Sequence, residues 1–197
     1  MMKRALDVVL SGMGLIVLAV PFALIAVTIK LDAPGPVFFR HPRVGKDGVP
    51  FVPLKFRTMV AGAMDQGLGT SVSEGDTRIT RVGRFLRLWA LDELPQLWNV
   101  LRGEMSLVGP RPTFAYQVER YNGFQRRRLE VRPGITGWAQ INGRNAIGWP
   151  ERIELDVWYV DRASLWLDLK ILVKTMWLAF IVRHGIYGRS GVNEDFR

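Results

Sequence analysis

Two unlike apolar blocks stand near the two ends of the chain. From Val8 to Ile29 no charged residue occurs, and most positions are Val, Leu, Ile, Ala or Phe. As a helix this run of 22 residues (8 to 29) reaches about 33 Å, enough to cross a bilayer core. A cleaved leader has a shorter apolar run and a small-x-small site, which Ala33-Pro34-Gly35-Pro36 does not supply. Lys3 and Arg4 precede the run, while Lys30, Arg40, Arg43 and Lys46 follow it. Basic residues on both flanks fit poorly with a simple span, which keeps them on one side. Pro21 removes a backbone hydrogen bond within the run and is expected to break the helix there. A helix that dips in, bends at Pro21 and returns to the same face satisfies both observations. A kinked spanning anchor satisfies the proline alone, and the pattern leaves both open.

The second block, Leu165 to Val182, is interrupted by Asp168, Lys170 and Lys174. Each charge costs about 2.5–3.5 kcal/mol at a bilayer centre, so a span is disfavoured. Trp166, Trp177 and Phe180 beside those lysines suit an amphipathic helix at the interface. A buried core helix is the alternative.

Between the blocks the chain is punctuated. Val37-Phe38-Phe39 reads as extended, Gly45-Lys46-Asp47-Gly48 as a turn, and Phe51 to Phe56 as the returning strand of a small hairpin. Met64 to Asp76 is Gly-, Ser- and acid-rich and is expected to be a mobile loop. Apolar spacing through Ile79, Val82, Phe85, Leu86 and Trp89 predicts a helix over 78–91. Further helices are expected over 95–101, with Pro95 in the first turn, and over 114–131, a polar and basic stretch. The fold class is mainly α with a small β-hairpin, divided into a membrane helix (1–33) and a catalytic domain (34–197).

Composition narrows the chemistry. The 197 residues include 27 Lys+Arg against 18 Asp+Glu, a net charge of +9, and 48% are hydrophobic. A chain this apolar can bury a core, and its charge suits an anionic partner: nucleic acid, acidic lipid or a phosphorylated substrate. Cysteine is absent and histidine occurs twice, which excludes disulfides, thiolate sites and a cysteine nucleophile and disfavours an imidazole zinc site. Catalysis therefore falls to carboxylates, hydroxyls, Lys or Arg.

Leu91-Asp92-Glu93-Leu94-Pro95 places two carboxylates just before an expected helix start, where the dipole favours an anion. An ionised aspartate can be a nucleophile, a metal ligand or both; acidic residues in a first helical turn are also commonplace. Arg78, Arg81, Arg84, Arg87, Arg102 and Arg111 surround the pair in sequence, as expected of a phosphate site. Gly109-Pro110-Arg111-Pro112 is a stiff loop that can aim one guanidinium. Lys55 and Arg57 form an alternating basic pair on one strand face. Glycine-rich loops at Arg132 to Trp138 and Asn142 to Asn145 can offer backbone amides to phosphate or ribose.

These motifs, in this order, resemble the small monotopic phosphoglycosyl transferases, bacterial sugar transferases that initiate glycan assembly. The resemblance covers nearly the whole chain: the basic-then-apolar start with Pro21, Gly35-Pro36-Val37-Phe38-Phe39, Lys55-Phe56-Arg57-Thr58-Met59, Arg87, and Leu91 to Asn99. It continues through Met105 to Pro112, Arg132 to Trp138 and Asn142-Gly143-Arg144. It implies a re-entrant N-terminal helix broken at Pro21, with interfacial amphipathic helices around a cytosolic catalytic site. It further implies that Asp92 attacks the β-phosphorus of a UDP-sugar, expels UMP and holds the sugar phosphate covalently until a polyprenyl phosphate takes it. Mg²⁺ beside Asp92, Glu93 as proton acceptor or orienting partner, and Lys55, Arg57, Arg87, Arg111, Arg144 and Asp156 as phosphate or nucleotide contacts are implied by the same resemblance. So are anionic lipids as partners and the cytoplasmic face of the bacterial inner membrane as the location, in exopolysaccharide or lipopolysaccharide synthesis. Larger members carry further N-terminal membrane helices, which this chain is expected to lack.

Two competing functions use the same features differently. A membrane-bound Mg²⁺-dependent phosphatase or pyrophosphatase would use water as acceptor. A tethered nucleic-acid module would use the +9 charge and Arg126 to Arg128, yet no nucleic-acid-binding signature is present, so nucleic acid is not expected as a partner. The sugar, the glycan pathway and the choice between monomer and homodimer are not encoded in any motif.

Overall fold

The computed structural model describes residues 2–66, 71–73, 75–143 and 146–179, together with the backbone of 192–193. It is mostly helical. Helices α1 (Met2–Val17) and α2 (Ala19–Asp32) form a pair bent by 60°. Among the described residues no single helix is long and apolar enough to cross a membrane, whereas this bent pair passes by length and composition. The break falls at Leu18, not at Pro21, which lies in the first turn of α2. A proline clashes with the carbonyl four residues earlier, here Val17, so the helix must end upstream of the proline itself. The pair is not wrapped only in solvent-facing apolar surface. Phe22, Ile25 and Ile29 of α2 pack on Phe56 and Leu86, while Val9, Met13, Ile16, Val20, Leu24 and Val27 stay exposed.

The expected hairpin is present in two nested steps. Strand β1 (Phe38–Arg40) pairs antiparallel with β4 (Leu54–Phe56), Phe39 opposite Lys55; inside it β2 (Arg43–Val44) pairs with β3 (Pro50–Phe51). A short strand, β5 (Val72–Ser73), pairs with β8 (Val192–Asn193), so the described loop residues before Asp76 are tied down. Buried Arg78 binds Asp76 and donates to the carbonyls of Ala63, Gln66 and Ser71. That tether, rather than the loop's Gly- and Ser-rich composition, fixes those residues, and residues 67–70 and 74 lie outside the described part.

The predicted helix over 78–91 is shorter, α3 (Arg81–Leu88), because Thr80 caps it by accepting from the Gly83 N–H at 3.0 Å. A 3-10 turn (Leu91–Gln96) then leads into α4 (Leu97–Arg102). Strand β6 (Ser106–Val108) follows. The stretch 114–131 is not one helix: α5 (Ala115–Glu119) and α6 (Gly123–Arg126) are separated, and a 3-10 turn (Arg127–Leu129) follows. Asn122 starts α6 through a reciprocal cap with Gln125, a local bond that competes with helix continuation. Strand β7 (Gly134–Thr136) pairs in parallel with β6, and α7 (Trp138–Ile141), α8 (Trp149–Arg162) and α9 (Leu165–Trp177) complete the described fold.

Helix α9 turns two of its three charges inward and leaves Lys170 exposed. Asp168 is buried and binds Lys3 and the Tyr159 hydroxyl, and Lys174 donates to Asn142, while Trp166, Leu169, Val173, Met176 and Trp177 are exposed. Its outer face is therefore largely apolar with Lys170 at its margin, as suits an interfacial helix. Phe180 lies outside the described residues.

Backbone segments meet closely where β6 and β7 continue into glycine loops. A Cβ on Gly134 would lie 2.1 Å from the Gly109 nitrogen, and one on Gly137 2.2 Å from the Gly109 oxygen. Neither neighbour is a flexible side chain, so main chain must move to admit a methyl. Gly134→Ala is expected to cost about 1–3 kcal/mol, read in a thermal melt as a Tm lower by about 2–4 °C per kcal/mol. An unchanged melting curve would contradict the close approach.

Candidate active site

The acidic pair sits where three segments converge. Trp89 ends α3, and Ala90 then adopts φ 53 and ψ 26, a left-handed conformation that disfavours a residue with a Cβ by about 1–2 kcal/mol. This turn redirects the chain so that the 3-10 segment carrying Asp92 and Glu93 packs against β4. Lys55, central in β4, donates from Nζ to Glu93 Oε1 at 2.6 Å. Arg111 grips the same carboxylate with two parallel bonds, Nη2 to Oε1 at 2.5 Å and Nη1 to Oε2 at 3.0 Å. Both oxygens of Glu93 are thus engaged by cations, and its side chain is only 15% exposed. Asp92 differs: among the described residues its half-buried carboxylate accepts no hydrogen bond.

The electrostatics follow from this asymmetry. Burial pushes the Glu93 carboxyl up, but the charges of Arg111 and Lys55 and their hydrogen bonds win and hold it well below the usual carboxylate range. For Asp92 burial and the neighbouring Glu93 charge push the carboxyl up, against the pull of Lys55, Arg87 and Arg111. Burial and the nearby Arg111 lower the Lys55 ammonium, against Glu93 and Asp92. One carboxylate is committed to structure and its neighbour is left more basic, with no hydrogen bond to its side chain among the described residues.

Arg111 is itself fixed through its backbone. The Gly109 N–H donates to Thr136 O and the Gly134 N–H to Pro110 O, both at 2.9 Å, so the loop after β6 is stitched to β7. Arg128 donates to the Arg111 carbonyl at 2.9 Å, to the Tyr121 hydroxyl at 2.6 Å and to Asp156 Oδ2 at 2.5 Å. The Arg128 and Asp156 side chains are 2% and 3% exposed, so removing either would strand a buried charge.

Several expected site residues fall elsewhere. Arg57 is buried and donates to the carbonyls of Ala33 and Pro34, closing the end of α2; β4 stops at Phe56, so the alternation that would put Arg57 beside Lys55 is lost. Asp156 meets Arg128, which also donates to the Arg111 carbonyl. Arg87 donates from Nε to Thr58 Oγ1 at 2.8 Å and its charge reaches Asp92. Of the other arginines near the pair in sequence, Arg78 holds the 63–76 loop, Arg81 and Arg84 are exposed, and Arg102 pairs with Glu104 at 3.6 Å. Arg144 lies outside the described residues. Two residues escaped sequence reasoning. Arg128 sat in a basic run weighed only for a nucleic-acid module, and Arg152, whose guanidinium is lowered by burial and by the charges of Arg111 and Arg128, carries no motif.

The chain is similar in sequence to known sugar transferases. A family model described as bacterial sugar transferase matches residues 1–182. An uncharacterized sugar transferase, EpsL of Bacillus subtilis, is 46% identical over 194 residues, covering 98% of this chain and 94% of the relative. The UDP-glucose:undecaprenyl-phosphate glucose-1-phosphate transferase of Escherichia coli is 43% identical over 190 residues, 92% of this chain but 40% of that protein, so the chain spans well under half of it. The exopolysaccharide production protein ExoY of Rhizobium meliloti is 40% identical, covering 89% of this chain and 84% of the relative. With the family model spanning 182 of its 197 residues, the chain belongs to the bacterial sugar transferase family.

Proposed function

We propose that the chain transfers a sugar 1-phosphate from a UDP-sugar to a polyprenyl phosphate, undecaprenyl phosphate in bacteria, releasing UMP at the cytoplasmic face of the inner membrane. One observation carries this reading. Of two adjacent carboxylates, Glu93 is saturated by Lys55 and Arg111 while Asp92 accepts no hydrogen bond among the described residues. A basic carboxylate beside three cations is suited to attack on a phosphorus whose charge those cations offset.

In the first step an Asp92 oxygen attacks the β-phosphorus. The bond from that phosphorus to the oxygen bridging it to the α-phosphate breaks, and UMP leaves with the electron pair. In the second step a phosphate oxygen of the polyprenyl phosphate attacks the same phosphorus, the bond to Asp92 breaks, and the carboxylate is restored. Glu93 orients Lys55 and Arg111 rather than moving a proton, since both its oxygens are occupied. Relatives named as undecaprenyl-phosphate glucose phosphotransferase and as UDP-glucose:undecaprenyl-phosphate glucose-1-phosphate transferase support the same substrate classes.

Mg²⁺ fits the donors present. It commonly takes one or two carboxylates together with substrate phosphates rather than an all-protein cage. Among the described residues no cluster of three or more His, Asp or Glu forms such a cage, and Asp92 has a free carboxylate. Bound there, Mg²⁺ would neutralise developing phosphate charge.

The 60° bend between α1 and α2 supports a re-entrant entry, with Lys3 and Arg4 and the chain after Asp32 on one face. It would also bring the exposed stripes of α1, α2 and α9 to one bilayer surface.

Asp92→Asn is expected to lower UMP release from a UDP-sugar by on the order of 10³-fold or more, with the melting curve retained. Turnover near that of the wild type would remove Asp92 as nucleophile, and free sugar phosphate in place of a lipid-linked product would identify water as the acceptor. EDTA is expected to stop UMP release and added Mg²⁺ to restore it; undiminished turnover in EDTA would eliminate the metal. Because the chain has no cysteine, Met2→Cys and Pro36→Cys each offer one thiol to an impermeant maleimide. Both should be shielded in intact spheroplasts and label after lysis, and labelling of only one before lysis would establish a span.

A further inference from the structure

Three charged residues of the membrane helix are directed into the protein. Lys3 Nζ donates to the Val108 carbonyl at 3.0 Å, to Asp168 Oδ2 at 2.6 Å and to the Tyr159 hydroxyl at 3.3 Å. One turn on, Asp7 is buried, and its Oδ1 accepts from the Leu107 N–H at 3.0 Å. Residues three to four apart share a helix face, so Lys3 and Asp7 together grip the main chain of β6. Arg4 donates to the Val100 carbonyl at 2.5 Å and the Leu101 carbonyl at 2.9 Å, at the end of α4.

Those two anchor points are the roots of the two halves of the site. α4 continues directly from the 3-10 turn that carries Asp92 and Glu93. β6 runs directly into Gly109-Pro110-Arg111, the segment that grips Glu93. Exposed Val9, Met13 and Ile16 of α1 lie on the opposite side of the helix, while Leu6 and Leu10 flank Lys3 and Asp7.

We infer that Lys3, Arg4 and Asp7 are positioning residues: they clamp the Asp92 arm to the Arg111 arm, so that turnover depends on how the membrane helix is seated. This rests on the transferase reading above. None of the three touches the reacting groups. A displacement of β6 by even an ångström would move Arg111 against Glu93, and misplacements of that size cost rates heavily.

The full-length chain in lipid nanodiscs tests this with paired variants at one position. Asp7→Leu removes the acceptor while making α1 more apolar, so membrane seating is not weakened; Asp7→Asn keeps an acceptor oxygen. The clamp predicts that Asp7→Leu lowers UMP release per folded protein by on the order of tenfold to a hundredfold. It also predicts faster amide exchange at Leu107, and Asp7→Asn within about threefold of wild type by both measures. Lys3→Met should behave like Asp7→Leu, and Lys3→Arg should recover most of the loss. Turnover of Asp7→Leu within about twofold of wild type, an Asp7→Asn variant as impaired as Asp7→Leu, or slowed turnover with unchanged Leu107 exchange would each overturn the clamp. If wild-type protein releases no UMP, the transferase reading fails instead, and Leu107 exchange alone decides whether the clamp exists.

Discussion

The bidentate bond from Arg111 to Glu93, closed from the other side by Lys55, is the contact around which the site is organised. A carboxylate that is 15% exposed is stable as an anion only if cations and donors replace its lost water. Here both replacements come from distant chain segments, 38 residues before and 18 residues after. The fold must therefore deliver β4 and the Gly109–Pro112 loop to the same point, and much of the architecture can be read as meeting that requirement. The nested hairpin presents Lys55. The β6–β7 pair, with glycines where its continuations touch, presents Arg111. The buried Arg128–Asp156 pair then holds the Arg111 carbonyl from behind.

The same requirement explains why the bent helix pair α1–α2 is integral to the domain. α2 packs Phe22, Ile25 and Ile29 onto Phe56, one residue from Lys55, and α1 binds the main chain at the ends of α4 and β6. The basic residues before the apolar run complete hydrogen bonds inside the domain. α9 follows the same logic, with Asp168 drawn inward by Lys3 and Tyr159 and its apolar stripe left outside.

Much of this was legible from sequence where a local rule decides the outcome. The apolar run, the hairpin turn, the acidic pair and the stiff Arg111 loop each follow from spacing and from Gly or Pro. Two caps were present in the sequence but outweighed by periodicity: Thr80 shortened one predicted helix and Asn122 divided another. The break before Pro21 was misplaced because the proline's clash acts on the carbonyl four residues upstream. What sequence could not show is where long cations go. Lys55 and Arg57 are two residues apart and similar in chemistry, yet one faces Glu93 and the other closes α2, because the strand ends between them. The assignment of Arg128 to Asp156 spans 28 residues and has no local signature.

Charge counting links the site to the proposed reaction. Asp92 and Glu93 contribute −2, and Lys55, Arg87 and Arg111 contribute +3, leaving one net positive charge among the groups that act on Asp92. A nucleotide diphosphate brings about two negative charges, so side chains alone leave an anionic nucleophile facing an anionic substrate. Glu93 accounts for this deficit, since it neutralises cations that would otherwise face the phosphate. Its presence is reasonable only if fixed geometry is worth more than raw charge, with two donors held rigidly in place of two mobile ones. The missing charge would then be supplied beside the Asp92 carboxylate, which accepts no hydrogen bond among the described residues. On this account the adjacent acids would be opposites in function: Glu93 gives up charge to fix its neighbours, and Asp92, which accepts no hydrogen bond among the described residues, would be left to react.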